Sequence, residues 1–245
     1  RWVLEGINDL VFNEQGADIV FSTFHIGHAG SPTVQHTYDA IGSLEINRFW
    51  SSPLYGLRFG KWSPPKLTRA DGTRVSIDER GQTQFANGKS ATIFQAFSED
   101  AIKRCGAYFG FNTSFGEFYL KSAQTDSGSL WYNLGDGQYC WITYSLLPLA
   151  WGHTPIGNSG QLQTVLSTGL SNEDFGTVLN DVAHRFREAG CVSMTMLDQG
   201  AVPLSVLTEI GLVATDTEIT FCARGPAENV RPFSQTRKPH LLDFC

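Results

Sequence analysis

Membrane-length apolar runs, an excess of basic charge and paired cysteine motifs are all missing from this sequence of 245 residues. The longest largely apolar stretch, Trp141 to Trp151, falls well short of the roughly 20 residues of a membrane helix, and Pro148 interrupts it. A soluble protein without a membrane span is expected. Lys and Arg total 18 against 24 Asp and Glu, a formal net charge of -6, so the counterion release that drives nucleic-acid binding has little to act through. Nucleic acid is not an expected partner. The five cysteines, Cys105, Cys140, Cys191, Cys222 and Cys245, are odd in number, widely spaced and free of any C-x-x-C pair, which speaks against a disulfide framework or a zinc knuckle. Reduced, mostly buried thiols are expected, with Cys191 and Cys222 in strands and Cys245 free or intermolecular. The chain opens on Arg1-Trp2-Val3-Leu4-Glu5, without Met and without the apolar core of a secretory leader, the pattern of a processed chain or an excised fragment.

What is present is a core. At 41% hydrophobic and 17% charged, the chain suits one large domain or two small ones and argues against disorder. Three parts are expected: a β-rich region over 1–90, an α+β domain over 91–224 and an extended arm over 225–245. In the first, apolar runs Ala17 to Phe24, Ser43 to Trp50 and Tyr55 to Trp62 are separated by Gly and Pro clusters, and Asp71-Gly72 and Asn87-Gly88 have the form of hairpin turns. The polar run from Asp71 to Lys89 reads as an exposed flap.

From Ser98, the acids Glu99 and Asp100 and the apolar Ala101, Ile102, Cys105 and Tyr108 predict a helix to about Phe109. Strands are expected at Phe115 to Leu120, Ser129 to Leu134 and Gln138 to Tyr144, the last two joined across Gly135-Asp136-Gly137 so that Trp131 faces Trp141 with Tyr139 on the same face. A strand over Leu162 to Leu170 is followed by the clearest helix: Ser171 as N-cap, Asp174 three residues on, and Phe175, Val178, Leu179, Val182, Ala183, Phe186 and Ala189 at a 3.6-residue period. Glu173 and Asp174 at its start and Arg185 and Arg187 near its end suit the helix dipole, and Gly190 stops it. Then come a strand at Cys191 to Leu197, a helix at Val202 to Ile210 opening with Pro203 and closing at Gly211, and a strand region at Leu212 to Arg224. The fold class is α+β, a β-rich start followed by a mixed sheet with two or three helices.

The order of elements from Ala91 to Arg224, with Phe186-Arg187-Glu188-Ala189-Gly190-Cys191 and Leu207-Thr208-Glu209-Ile210-Gly211-Leu212, resembles the N-acetyltransferase superfamily over about half of the chain. The resemblance implies an acyltransferase-like fold with a cleft where the Leu162 to Leu170 strand splays from Cys191 to Leu197, and with Ser171 and Asn172 as donors to an acyl carrier. It also exposes two departures. The family holds a coenzyme A pyrophosphate on the amides of a basic, Gly-rich turn at the start of the long helix, because open N–H groups attract anions. Here the matching stretch, Thr168-Gly169-Leu170-Ser171-Asn172-Glu173-Asp174-Phe175-Gly176, has no basic residue and two carboxylates. The Tyr often used to protonate the leaving thiolate is absent from Val202 to Gly211. Ordinary acetyl-CoA chemistry is therefore not expected, and no cofactor is assigned.

Other constellations are weaker. Gly157-Asn158-Ser159-Gly160 has the form of a protease nucleophile turn, but a long helix follows where strands should, so it reads as a surface turn. Asp126-Ser127-Gly128 lacks the second aspartate that an aspartic protease needs. His25, His28 and His36, with Asp39 nearby, are the densest set of ligand-type residues; positions three apart on a strand face opposite sides, so no metal site is assigned and they read as loop histidines. No catalytic base is assigned either, Asp198 and His153 being only chemically suitable.

Two functions compete. The favoured one is a non-catalytic structural or interaction subunit of a larger assembly, such as a viral particle, associating with itself or with another subunit. The hairpin flap and the arm, whose Arg231, Arg237, Lys238 and His240 precede apolar Leu241, Leu242 and Phe244, would supply contacts. The alternative is a divergent acyltransferase whose donor is not held by the usual pyrophosphate loop. The helix start at Ser171 discriminates: open amides beside a cleft suit an acyltransferase, and a filled start suits a structural role.

Overall fold

The computed structural model describes residues 14–16, 20–26, 46–62, 69–94, 127–197, 202–224 and 228. The expected helix from Ser98, the strand at Phe115 to Leu120 and nearly all of the C-terminal arm lie outside them. The described residues fall in two compact units. In the first, strand β1 (Val20–Ile26) pairs antiparallel with β9 (Val213–Arg224), Val20 opposite Arg224 and Ile26 opposite Glu218. The first half of β2 (Ile46–Arg58) belongs to the same unit, where the carbonyl of Leu54 accepts a hydrogen bond from Thr215 Oγ1 at 2.8 Å. The runs Ser43 to Trp50 and Tyr55 to Trp62, expected to be separate, are bridged by this one strand, which a 3-10 turn (Phe59–Lys61) ends.

The second unit holds the second half of β2, then β3 (Gly81–Gln84), β4 (Ser90–Phe94), β5 (Ser127–Gly135), β6 (Gln138–Trp151), β7 (Thr154–Thr168) and β8 (Cys191–Leu197), with helices α1 (Asn172–Glu188) and α2 (Leu204–Ile210). Their order in the sheet is β8-β7-β6-β5-β4-β3, with β2 beyond β8. Every pairing from β3 to β7 is antiparallel, whereas β7 and β8, joined through α1, are parallel. This is the mixed sheet with two described helices that the α+β expectation required.

Local chemistry explains the joints. The β5–β6 turn places Asp136 at φ 50 between Gly135 and Gly137, both at positive φ, and sets Trp131 opposite Trp141. The rings of Trp131 and Tyr139 then meet edge to face at 5.4 Å, as the register predicts. In α1 the Ser171 side chain caps the Asp174 amide at 3.2 Å, and Phe175, Val178, Leu179, Val182 and Phe186 are all buried. At the end of α2, Gly211 takes φ 94, and the Trp62 indole N–H donates to the carbonyl of Ile210 at 3.0 Å, pairing one of the acceptors that a helix end leaves open. Cys140 and Cys191 are free and buried, and burial pushes both thiols up.

Several expectations are corrected. Gly157-Asn158-Ser159-Gly160 is no surface turn: it lies inside β7, with Ser159 buried and bonded to Ser193 Oγ at 2.9 Å. Strand β7 begins at Thr154, well before Leu162, because register irregularities at Leu149/Ala150 and Asn158/Ser159 absorb the residues that look like breakers. Arg185 does not merely face the helix dipole. It is fully buried, and its Nε donates to Asp181 Oδ2 at 2.7 Å.

The segment from Asp71 to Lys89 differs from expectation in part. Asn87-Gly88 does turn the β3–β4 hairpin, but Asp71-Gly72 is a local turn in which Asp71 Oδ1 accepts from the Thr73 amide and hydroxyl, each at 2.9 Å. Most of the segment is exposed, as expected, but it is not free of the body. Val75 and Phe85 are buried, and Arg185 Nη1 donates to the carbonyls of Ser76 at 2.9 Å and Glu79 at 2.8 Å. Backbone carbonyls that a polar loop would show to water are instead paired to a buried guanidinium, which fixes the loop on α1.

Candidate functional site

The parallel pair β7–β8 covers only part of the length of β7. Its register runs from Asn158 opposite Cys191 to Leu162 opposite Met196 and stops there among the described residues. Strand β7 continues to Thr168, and over that length it pairs, among the described residues, with β6 alone, Thr164 opposite Thr143 and Thr168 opposite Tyr139. Among the described residues, no strand pairs with the other edge of β7 beyond Leu162. Gln163, next to Leu162, is held by a 2.7 Å hydrogen bond from its Nε2 to Ser145 Oγ.

The strand leads through Gly169, at φ 72, and Leu170 to the start of α1. Of the amides a helix start leaves open, that of Asp174 is taken by Ser171 Oγ and that of Phe175 bonds the Ser171 carbonyl at 2.9 Å. Asn172 is exposed, and among the described residues its amide and that of Glu173 have no partner. The two carboxylates expected here behave differently. Glu173 is exposed, whereas Asp174 turns inward, 1% exposed, and accepts from Ser171 Oγ and from Lys89 Nζ, both at 2.7 Å. Burial opposes its ionisation, but the hydrogen bonds from Lys89 and Ser171 outweigh burial and hold its carboxyl below the usual range.

Lys89 comes from the β3–β4 hairpin, whose turn also reaches α1 through Asn87 Nδ2 and Thr177 Oγ1 at 3.3 Å. The hairpin segment thus touches α1 near its start and, through Ser76 and Glu79, at Arg185, a span of about 16 Å along the helix. Beneath it, Asp181 Oδ2 accepts from the Tyr132 hydroxyl and from Arg185, each at 2.7 Å. Burial, with the Asp181 carboxylate adding to it, pushes the Tyr132 hydroxyl well above the usual tyrosine range, so it stays a donor. Sequence spacing gave no sign of Lys89 or Tyr132, which reach α1 from 85 and 49 residues away.

Of the residues singled out in the sequence, Ser171 and Asn172 stand together at the start of α1. His153 does not. It is exposed in the β6–β7 turn, about 30 Å along β7 from Leu162. Asp198, His28, His36 and Asp39 lie outside the described residues, as does the side chain of His25. No group of three or more His, Cys, Asp or Glu placed to hold a metal occurs among the described residues.

A mixed sheet whose parallel pair is joined by a long helix has an acetyltransferase-like fold, and solved structures share it. The structure of a GCN5-related N-acetyltransferase from Kribbella flavida superposes with a TM-score of 0.56 over 94% of this chain and 77% of that chain, at 11% identity. Saccharomyces cerevisiae N-myristoyltransferase with bound myristoyl-CoA gives 0.55 at 11% identity over 91% of this chain. The present chain spans 55% of that enzyme's length. No protein-family model and no curated protein sequence matches the chain. The likeness is one of fold.

Proposed function

We propose that the protein is an acyltransferase that takes its acyl group from a carrier not gripped through a pyrophosphate. The observation that carries this reading is that, among the described residues, the β7–β8 pairing ends at Leu162 and Met196 while β7 runs on toward Ser171 and Asn172 with β6 on one side only. An extended, amide-bearing arm can pair with such an edge as an added strand does. The amides of Asn172 and Glu173 serve as donors to its far end. Asp174 and its paired Lys89 stand where a pyrophosphate would need open amides and free cations, which favours a pantetheine arm on a carrier protein over free coenzyme A. The fold shared with an N-acetyltransferase and an N-myristoyltransferase supports the class of reaction.

The test is loss of thioester from an acyl group presented on a carrier protein and on coenzyme A, followed by mass spectrometry with an amine acceptor. Faster transfer from the carrier-bound thioester is expected; preference for the coenzyme A thioester overturns the proposal.

A second reading, a non-catalytic interaction subunit, is favoured by the closure of the helix start by Lys89. Transfer from neither donor would support it. The structural neighbours lend nothing to a viral role.

A further inference from the structure

No asparagine of this sequence other than Asn87 precedes a glycine. The pair sits in the β3–β4 turn, where both residues are exposed and Gly88 takes φ 83, a conformation that favours glycine. A Cβ at Gly88 would meet nothing within 4 Å, so the space on that side of the turn is open. The turn is fixed by bonds from the Phe85 amide to the Lys89 carbonyl at 2.7 Å and from the Gly88 amide to the Phe85 carbonyl at 3.0 Å.

The Asn87 side chain is engaged at both ends. Its Oδ1 accepts from the Lys89 amide at 3.1 Å, and its Nδ2 donates to Thr177 Oγ1 of α1 at 3.3 Å. The first contact polarises the side-chain carbonyl and sets a donor where negative charge gathers when a nucleophile adds to Cγ. That nucleophile is the next backbone nitrogen, that of Gly88, which closes a five-membered ring with Cγ and carries no side chain beyond it to hinder the approach. Before it attacks, its bond to the Phe85 carbonyl must open, a local event at an exposed hairpin tip.

We propose that Asn87 is a site of spontaneous deamidation whose product frees the hairpin tip from α1. The Gly88 nitrogen gives up its proton to water or hydroxide and bonds to Cγ, the Cγ–Nδ2 bond breaks, and Nδ2 leaves as ammonia. Water then opens the succinimide at either carbonyl, leaving aspartate or isoaspartate at position 87; nothing is oxidised or reduced. Thr177 Oγ1 already gives its hydrogen to the Glu173 carbonyl at 2.9 Å, so a carboxylate at 87 meets an acceptor and is held only if that bond is given up. The new charge also lies two residues from Lys89, whose Nζ holds Asp174 at 2.7 Å, and competes for it. An isoaspartate adds a methylene to the backbone of the turn as well, out of step with the bond between Phe85 and Lys89. The site concerns the hold of the hairpin on α1 and stands without the acyl-transfer reading.

The test incubates the whole protein at mildly alkaline pH and reads each asparagine by peptide mass spectrometry. Asn87 is expected to gain one mass unit at least tenfold faster than Asn158 and Asn172, which are also exposed but precede Ser159 and Glu173. A smaller ratio overturns the proposal. Release of the tip is read by hydrogen exchange in the aged protein and in Asn87→Asp, which carries the aspartate product from the start. Faster exchange over residues 85–89 is expected in both, and Asn87→Gln should keep its exchange unchanged on ageing. Exchange that stays the same in Asn87→Asp and in the aged protein, or that rises equally in aged Asn87→Gln, overturns the release.

Discussion

The ring of Phe186 fills the space that a side chain on Gly160 would need: a Cβ at that glycine would lie 2.4 Å from Phe186 Cδ2. Strand β7 and helix α1 approach this closely only because residue 160 has no side chain. Gly160→Ala should destabilise the protein by about 1–3 kcal/mol through overpacking, whereas Phe186→Ala should cost about 3–5 kcal/mol through the cavity it leaves. Because each change relieves the other, urea denaturation of the double variant should show less than the sum, and strict additivity would argue against the contact.

The pair Asp181 and Arg185 sets a second expectation. Both are buried, and each also serves another group, Tyr132 or the carbonyls of Ser76 and Glu79. Removing one partner, as in Asp181→Asn or Arg185→Met, should cost about 3–5 kcal/mol. Tyr132→Phe should cost about 1.5–3 kcal/mol, the range for a hydrogen bond to a charged group. Hydrogen exchange in Arg185→Met should speed up over residues 69–80 before it does in β5 and β6. Uniform acceleration would show that the segment is not held by this guanidinium.

The helix α1, its cap and the β5–β6 register were legible in the sequence because each is specified locally. Ser171 caps its own helix, and Asp136 sits between the two glycines that its turn needs. The start of β7 was not legible, since Pro155, Gly157 and Gly160 look like strand breakers. What admits them is the register irregularity and the bulk of Phe186 and Val192, neither readable from neighbours in sequence. The docking of residues 76–89 was missed for a related reason. A polar, Gly-punctuated stretch signals exposure, and nothing local tells that Arg185 and Asp174 will meet its carbonyls and its lysine. At the candidate site, Ser171 and Asn172 were found by capping chemistry, while Lys89 was hidden by distance along the chain.

Acid sensitivity should come in two steps. Burial is the main force lowering the pKa of His184, with Arg187 adding to it against Asp181 and Glu188. The unfolded chain therefore takes up that proton first, and stability should fall as pH drops below about 6.5 toward the lower folded value. Asp174 is also lowered, so its contribution is present above about 3.9 and is lost as pH falls through its folded value. Melting temperature against pH should lose the first step in His184→Gln and the second in Asp174→Asn; an unchanged profile in either variant would exclude that group as the source.

Coenzyme A should bind poorly. Asp174 takes the Ser171 cap and Lys89, leaving the amides of Asn172 and Glu173 beside an exposed carboxylate. Calorimetry with acetyl-CoA should give no micromolar dissociation constant, and Glu173→Gln should tighten whatever weak binding exists. Micromolar affinity in the unaltered protein would show that the helix start is open to phosphates after all.

The hold of Arg185 on Glu79 spans 106 residues of chain. On a ribosome adding about 5–20 residues per second, the polypeptide around Ser76 and Glu79 leaves the exit tunnel some 5–20 s before its anchoring guanidinium does. For that interval the nascent chain carries Val75 and Phe85 with no helix to cover them. A chaperone or protease that samples emerging chains would meet this segment bare, and slowing translation between Glu79 and Arg185 would lengthen its exposure.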